Sequence, residues 1–225
     1  MYVLPTHLLN PDDVTVRVDR RTVSGGVALS GSEDAIETDG GGRVVVTYGN
    51  MAGDTPALER LLNAWDSYLA GGAVACLVPL VTLRTAPRLW IGGKPKPAPD
   101  FAGNDPIFPT AVGYRVRTIE AETVGDAALR ATTLTIRMVR GSPVLGGEWF
   151  SIGERAHRVE RVLSRDGLDY ECRINPPLRV AVTDGAAVEF EWPVVKATLA
   201  IGGSLIPTLT YGLYGDVGAT FVEAP

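Results

Sequence analysis

Glycine and proline divide the chain into many short segments, and this spacing constrains the fold more than any other feature. There are 26 glycines and 16 prolines among 225 residues. Between them apolar and polar residues alternate with a period of two, as at Val14, Val16 and Val18, which is the pattern of a half-buried β-strand. Further segments of strand character span 44–48, 73–80, 134–138, 159–163, 168–174, 188–192, 194–201 and 219–222. The sequence therefore predicts a mainly β fold built of sandwich or barrel units.

One segment has helical rather than strand periodicity. Thr55 is a favourable N-cap, and Pro56 suits the first helical position. Leucine and tryptophan then recur at positions 58, 61, 62, 65 and 69, a spacing that places them on one face of a helix. Gly71 and Gly72 follow, and glycine readily forms a left-handed C-terminal cap. We predict one amphipathic helix over 56–70 whose apolar face packs on a sheet.

A proline-rich stretch separates the predicted strands into two groups. Its portion at 94–99, Lys-Pro-Lys-Pro-Ala-Pro, is expected to be extended and polyproline-like. We interpret 92–127 as a linker or arm between an N-terminal β-rich domain at 1–91 and a small β-barrel-like domain at 128–193. The last strands, within 194–225, either extend the second domain or return to complete the first, and we favour the return.

Composition and charge narrow the classes of function. Hydrophobic residues make up 45% and charged residues 21% of the chain, which is typical of a globular protein rather than a disordered one. The formal net charge of -5 gives no electrostatic basis for binding a polyanion. The arginines at 155, 158, 161 and 165 alternate with acidic residues and indicate a mixed-charge face. The N-terminus lacks the features of a signal peptide, and no apolar run approaches the ~20 residues that cross a bilayer. We expect a chain that folds in a cytoplasm and has no membrane partner.

Residues suited to catalysis or metal binding are few. The two histidines, His7 and His157, lie far apart and have no Cys or His neighbour at a metal-ligand interval. Cys76 and Cys172 occupy apolar or strand-like segments and are expected to be buried thiols, although the sequence leaves a disulfide between them open. A dyad of Cys172 with His157 would lack a third partner. No nucleophile elbow and no phosphate-binding loop occurs.

Acidic residues offer only weak candidates for paired-carboxylate hydrolysis, at 33–34, 120–122 and 189–191. The Glu-Phe-Glu-Trp alternation at 189–192 instead predicts a strand whose glutamates face solvent. We therefore predict that the protein is not an enzyme, that it has no catalytic, cofactor-binding or metal-ligating residues, and that it uses no cofactor.

The order of turn and packing motifs in the first part of the chain resembles one family. The opening block runs from Thr-Val-Ser-Gly-Gly at 22–26, through Leu-Ser-Gly at 29–31, to Ile-Glu-Thr-Asp-Gly-Gly at 36–41. The helix with Ala-Trp at 64–65 follows, and then Gly-Gly and a Val-Pro-Leu strand at 78–80. This block resembles the start of distal-tail-type minor tail proteins of siphophages.

Later motifs extend the resemblance over most of the chain. They are Leu-x-Gly at 145–147, Phe-Ser-Ile at 150–152, Arg-Val at 158–159, Ile-x-Pro-Pro-Leu-Arg at 174–179, Gly-Ala at 185–186, Val-Glu-Phe at 188–190 and Phe-Val-Glu-Ala at 221–224. The chain departs from the family at His157, where tyrosine is expected, and at Asp66, where a basic residue is commoner. The stretch at 92–109 has no counterpart in the family.

The resemblance implies a structural subunit of a tailed bacteriophage, or of a phage-derived tail particle. Proteins of this family form a homo-oligomeric ring, most often of six copies, that joins the tail tube protein to the hub or tip proteins of the baseplate. Their location is the tail of the virion, with assembly in the host cytoplasm, and DNA meets the ring only in passage through its lumen. The resemblance carries over no catalytic residues.

Three other functions remain open at this point. A lectin-type β-sandwich that binds host-surface sugar would need exposed aromatic residues on one face, and Trp90, Trp149 and Trp192 are available. A cell-wall hydrolase of the tail would need paired carboxylates or a metal in a cleft. A tail terminator or tube subunit would share the ring and the lumen chemistry.

Overall fold

The computed structural model describes residues 1–20, 22–27, 29–31, 33–37, 42–91, 94–95, 117–210 and 214–224. Strands account for 49% and helices for 12% of the chain, which confirms the mainly β class. In chain order the elements are α1 (Thr6–Leu9), β1 (Asp13–Asp19), β2 (Thr22–Val27), β3 (Glu33–Glu37), β4 (Arg43–Ala52), α2 (Pro56–Leu69), a 3₁₀ turn (Ala70–Gly72), β5 (Ala75–Pro79), β6 (Trp90–Ile91), β7 (Lys94–Pro95), β8 (Glu120–Thr123), β9 (Thr133–Arg140), β10 (Trp149–Ile152), β11 (Arg155–Asp166), β12 (Asp169–Asn175), β13 (Ala187–Val188), β14 (Val194–Leu199), β15 (Thr208–Thr210) and β16 (Tyr214–Glu223).

The first sheet takes its strands from both ends of the chain. Its order is β1-β4-β16-β14-β5, with the short β15 paired to the beginning of β16, and all of these pairs are antiparallel. In the middle of the sheet, Phe221 lies opposite Val46 on one side and Leu199 on the other. The C-terminal strands within 194–225 therefore lie between strands of the N-terminal residues.

The predicted helix is present as α2 and packs on this sheet. The Oγ1 of Thr55 accepts a hydrogen bond from the backbone N–H of Leu58 at 3.3 Å, as an N-cap does. Leu62 and Leu69 are fully buried in the core of the sheet, and other members of the apolar face are half-buried against it. The left-handed cap begins at Ala70, with φ of 46°, one residue before the predicted glycines. The spacing of the apolar residues thus predicts where the helix lies. The residue at which it ends is set by the turn that begins at Ala70.

The second sheet is a small, nearly closed barrel. Its order is β10-β11-β12-β9-β8-β13. The barrel is closed where Ser151 of β10 and Glu189, just after β13, exchange two backbone hydrogen bonds of 2.9 Å. Its interior is filled by side chains such as Ile136, Phe150 and Phe190. β8 lies within the stretch 92–127 that we interpreted as a linker, so the barrel takes in residues before 128.

The sheet and the barrel share part of one core. Trp149 of β10 and Ala156 of β11 belong to barrel strands, yet both side chains are buried in the core of the first sheet. The backbone N–H of Lys196 in β14 also donates to the carbonyl of Glu154 at 2.7 Å. The two units are therefore packed together rather than joined only by the chain.

Strands β2 and β3 form a separate two-stranded ribbon. They pair with each other, from Thr22 opposite Glu37 to Val27 opposite Glu33, and they connect β1 to β4. The ribbon is connected to the end of the β1–β4 pair at which Asp19 lies opposite Arg43. Every residue of β2 is exposed.

A two-residue turn joins β11 to β12. Asp166 pairs with Asp169, so the turn residues are Gly167 and Leu168. Gly167 has φ of 59°, a conformation that favours glycine.

The predicted polyproline-like segment lies largely outside the described residues. Of it, the structure describes only Lys94 and Pro95, which pair with Trp90 and Ile91 as β7 with β6.

Candidate functional site

The contact between sheet and barrel is centred on one buried carboxylate, that of Glu223 in β16. Its side chain is 2% exposed. The Nε of Arg179 donates to its Oε1 at 3.3 Å, and the Nη1 of Arg155 lies 3.7 Å from the same oxygen. The backbone N–H of Val44 donates to its Oε2 at 3.1 Å. Both carboxylate oxygens are thus engaged, which is how a buried charge is tolerated.

The two arginines of this cluster come from the barrel and also bind the sheet backbone. Arg155, at the start of β11, donates to the carbonyl of Ala224, and Arg179, in the segment after β12, donates to the carbonyl of Gly42. These charge-assisted bonds fix the barrel against both β16 and the base of the ribbon. The cluster is a structural joint, because its polar groups bind one another and the backbone.

The only histidine in a strand, His157 of β11, is buried beside this joint. Its Nδ1 lies 2.8 Å from the carbonyl oxygen of Pro176, so this nitrogen is assigned the proton. Burial lowers the pKa of His157, and the charges of Arg179 and Arg155 act in the same direction. The Pro176 carbonyl and the carboxylate of Glu223 act to raise that pKa, but burial prevails. His157 is therefore neutral at neutral pH.

We expect His157 to make the stability of the protein depend on pH below about pH 6.5. Because the pKa of His157 is lower in the folded protein, the unfolded chain binds the proton first as the pH falls. The contribution of His157 to the free energy of unfolding is therefore present above that pH and lost below it. The slope for one such group is at most about 1.4 kcal/mol per pH unit. Urea titrations between pH 5.5 and 7.5 measure it.

The matched control for that experiment is the exposed His7. His157→Gln should remove most of the slope between pH 5.5 and 6.5, while His7→Gln should leave it unchanged. Equal slopes in the unaltered protein and the His157→Gln variant would show that other groups cause the pH dependence.

The two cysteines are free and lie in different cores. Cys76 is buried in the core of the first sheet and Cys172 in the barrel. Burial raises the pKa of each thiol to about 12, so both are protonated and unreactive at neutral pH. The Sγ of Cys172 donates to the carbonyl of Tyr170 at 3.5 Å, whereas His157 binds Pro176. Cys172 and His157 therefore make no hydrogen bond with each other.

The predicted solvent-facing position of Glu191 is wrong. Its side chain is buried, and it accepts hydrogen bonds from the backbone N–H of Thr118, at 3.0 Å, and from the Thr118 hydroxyl. Glu189 accepts from the backbone N–H groups of Glu191 and Trp192. The reason is that the chain turns after β13, so the alternation of a strand does not continue through 189–192.

The other acidic candidates form surface ion pairs or cannot be placed. On β8, Glu120 lies 3.5 Å from Arg140, and Glu122 lies 3.9 Å from Arg137. Such exposed pairs contribute little to stability. The side chains at 33–34 lie outside the described residues.

Of the three tryptophans considered for sugar binding, the two whose side chains are described differ in exposure. Trp149 is buried in the core, whereas Trp192 is 44% exposed, and the side chain of Trp90 lies outside the described residues. An apolar cavity of about 400 Å³ opens at one end of the barrel, beside the β10–β11 turn and residues 178–186. Neither Trp149 nor Trp192 lines it.

The surface best suited to assembly consists of the ribbon and the outer edge of β1. Among the described residues no strand pairs with that edge, although β1 pairs with β4 over seven residues. Val23 and Val27 of the ribbon are exposed, as is Leu29 at its tip. Unpaired strand edges attract other strands, and isolated two-stranded ribbons are marginal in water. We call β1 and the ribbon together the assembly surface.

Comparisons with known proteins do not identify the chain. A scan against protein-family models gives no match, and neither does a search of curated proteins.

In the parts of the chain that the structure describes, no three His, Cys, Asp or Glu residues are grouped so that they could hold a metal ion. No described helix combines the length and the apolar character needed to span a membrane.

Proposed function

We propose that this chain is a structural, non-enzymatic subunit of a bacteriophage tail, of the distal-tail type. In this proposal it forms a homo-oligomeric ring, of six copies by resemblance to that family, which joins the tail tube to the tip or baseplate. The partners are a second copy of the chain, the tail tube protein and the hub or tip proteins. The location is the tail of the virion, after assembly in the host cytoplasm.

The observation that carries this proposal is the assembly surface. A ribbon whose β2 residues are all exposed connects β1 to β4, and the β1 edge of the sheet has no partner strand among the described residues. A neighbouring copy would cover both features, and a heterologous contact repeated around an axis closes a ring. The order of family-like motifs along the sequence is the reason that we assign this ring to a bacteriophage tail.

Charge is consistent with a lumen through which DNA passes. The formal net charge of the chain is -5, and like charges repel, so DNA would pass such a wall without binding to it. In this proposal DNA is cargo in transit rather than a ligand.

The proposal predicts a ring that depends on the ribbon. Light scattering of the purified full chain should give about six times the 23.9 kDa mass of one copy, and negative-stain images should show an open centre. Replacing Val27 and Leu29 together with aspartate should shift the protein to a monomer without unfolding it. Both side chains are exposed, Val27 by 70%, and exposed substitutions cost little stability.

The matched control replaces Leu168 and Ile201, which are also exposed but lie outside the ribbon, with aspartate. This control should still form the ring. A monomer at every concentration of the unaltered chain, or a ring that survives the ribbon substitutions, would count against the proposal. Binding of the monomer on a glycan array would favour the carbohydrate-binding module instead.

A further inference from the structure

A surface groove lined by aromatic side chains lies where α2 meets the N-terminal segment. It has a volume of about 250 Å³ and is lined by Tyr2, Leu61, Ala64, Trp65 and Tyr68. The ring of Tyr68 lies 5.4 Å from that of Tyr2 and 5.5 Å from that of Trp65, and it is nearly perpendicular to both. Tyr2 is 67% exposed. Tyr68 therefore contacts an aromatic ring on each side, edge to face.

The helix contributes four of these residues because of their spacing. Leu61, Ala64, Trp65 and Tyr68 follow one another at intervals of three, one and three positions, which places them on one side of α2. The N-terminal segment brings Tyr2 beside them, because the backbone carbonyl of Tyr2 accepts from Leu77 of β5 at 2.9 Å. Both walls of the groove thus rest on the same sheet.

The chemistry of the groove suits a polyproline II ligand. The groove is lined by three aromatic rings and two aliphatic side chains, so its exposed lining is almost entirely apolar. The proline rings of a polyproline II helix pack against aromatic rings in grooves of this kind. A sugar would need several convergent polar groups, which these side chains do not provide.

The chain itself carries a segment of this chemistry. Prolines occur at 97, 99, 106 and 109, the last two in a Pro-x-x-Pro arrangement. In an extended conformation the 14 residues from 96 to 109 would reach about 43 Å at about 3.1 Å per residue. We propose that the proline-rich arm, residues 96–109, of a second copy of this chain binds the aromatic groove.

A second copy is the favoured source because the arm and the groove belong to different parts of the molecule. Before the arm, the carbonyl of Pro87 accepts from Ser142, next to β9 of the barrel, at 2.8 Å. After it, Thr118 binds Glu191, next to β13. The groove lies instead on α2, which packs on the first sheet. This inference rests on the self-association in the proposed function and names a contact for it.

Peptide binding tests the groove. A fluorescein-labelled peptide of residues 94–109 should bind saturably to the full-length arm variant, in which the four prolines at 97, 99, 106 and 109 are alanine. Because the arm of that variant lacks these prolines, it should not compete with the peptide for the groove. Tyr68→Ser should weaken the peptide about tenfold or more, since an aromatic contact of ~1.4 kcal/mol is lost. Leu145→Ser, an exposed change on the barrel, should leave the affinity for the peptide unchanged. The circular dichroism spectra of all variants should match that of the unaltered protein.

A peptide with the same prolines replaced by alanine should bind at least about tenfold more weakly, because polyproline preorganisation is lost. Equal affinity of the two peptides, or no effect of Tyr68→Ser, would overturn the inference. A glycan that binds and is lost with Tyr68→Ser, while the peptide does not bind, would assign the groove to a sugar.

A mixing experiment tests whether the arm comes from a second copy. Tyr68→Ser has an intact arm but a groove that lacks one of its rings, and the arm variant has an intact groove but no prolines in its arm. Their mixture should form one-to-one pairs by light scattering, whereas each alone should associate less. A mixture that stays monomeric would overturn docking between copies.

The same experiment separates this inference from the proposed function. Rings that form unchanged from the arm variant would overturn the inference and leave the proposed function standing. One-to-one pairs in the mixture, with no ring from the unaltered chain, would support the inference and count against the proposed function.

Discussion

Replacing Glu223 with glutamine is expected to lower the free energy of unfolding by about 3 kcal/mol. The substitution keeps the shape and one acceptor oxygen but removes the charge that faces Arg155 and Arg179. Those two guanidiniums are held at the joint by backbone carbonyls, so they cannot readily move to water. Two positive charges would then lie close together without a counter-charge, which is the costly outcome of breaking a buried pair. Chemical denaturation measures the loss.

The control for Glu223 is an ion pair of similar geometry on the surface. Glu160 lies 3.2 Å from Arg173, and both side chains are more than 40% exposed. Glu160→Gln should cost less than about 1 kcal/mol, because water already screens the pair. Similar losses from both substitutions would mean that the joint around Glu223 contributes no more than a surface pair.

Replacing Trp149 with alanine is expected to lower the free energy of unfolding by about 3–5 kcal/mol. The indole is 6% exposed and belongs to the core of the first sheet, although β10 is a barrel strand. Arg158 lies over its ring, 5.6 Å from the centroid, so a cation–π contact is lost as well. The cavity left by the indole would open between the first sheet and the barrel. We expect both to unfold in one transition, with its midpoint at a lower denaturant concentration.

Trp192→Ala is the matched control, since that side chain is 44% exposed. It should cost about 1 kcal/mol or less, because little apolar area leaves a core. The comparison also bears on sugar binding, since loss of glycan binding in Trp192→Ala alone would support the carbohydrate-binding alternative. A Trp149→Ala variant as stable as the unaltered protein would mean that sheet and barrel do not share a core.

Part of the candidate site could be read from local patterns. The half-buried face of β1 follows from the alternation at Val14, Val16 and Val18, and burial observed in β1 matches it. One side of the groove is implicit in the helical spacing that joins Trp65 to Tyr68, although the apolar stripe alone indicates only a packing face. Nothing in the sequence pairs Tyr2 with that helix, because the contact depends on a backbone bond to β5.

Local sequence patterns specify the kind of each element: short strands with alternating faces, and one helix with an N-cap and a leucine-tryptophan stripe. Such features depend on residues close together in the chain, where backbone geometry fixes which side chains share a face. Which faces meet depends on the folded chain as a whole. Folding brought Glu223 to Arg155 and Arg179, placed Trp149 in the neighbouring core, and closed the barrel between Ser151 and Glu189. Contacts of this kind join residues far apart in the chain, and alternation carries no information about which distant strand lies alongside.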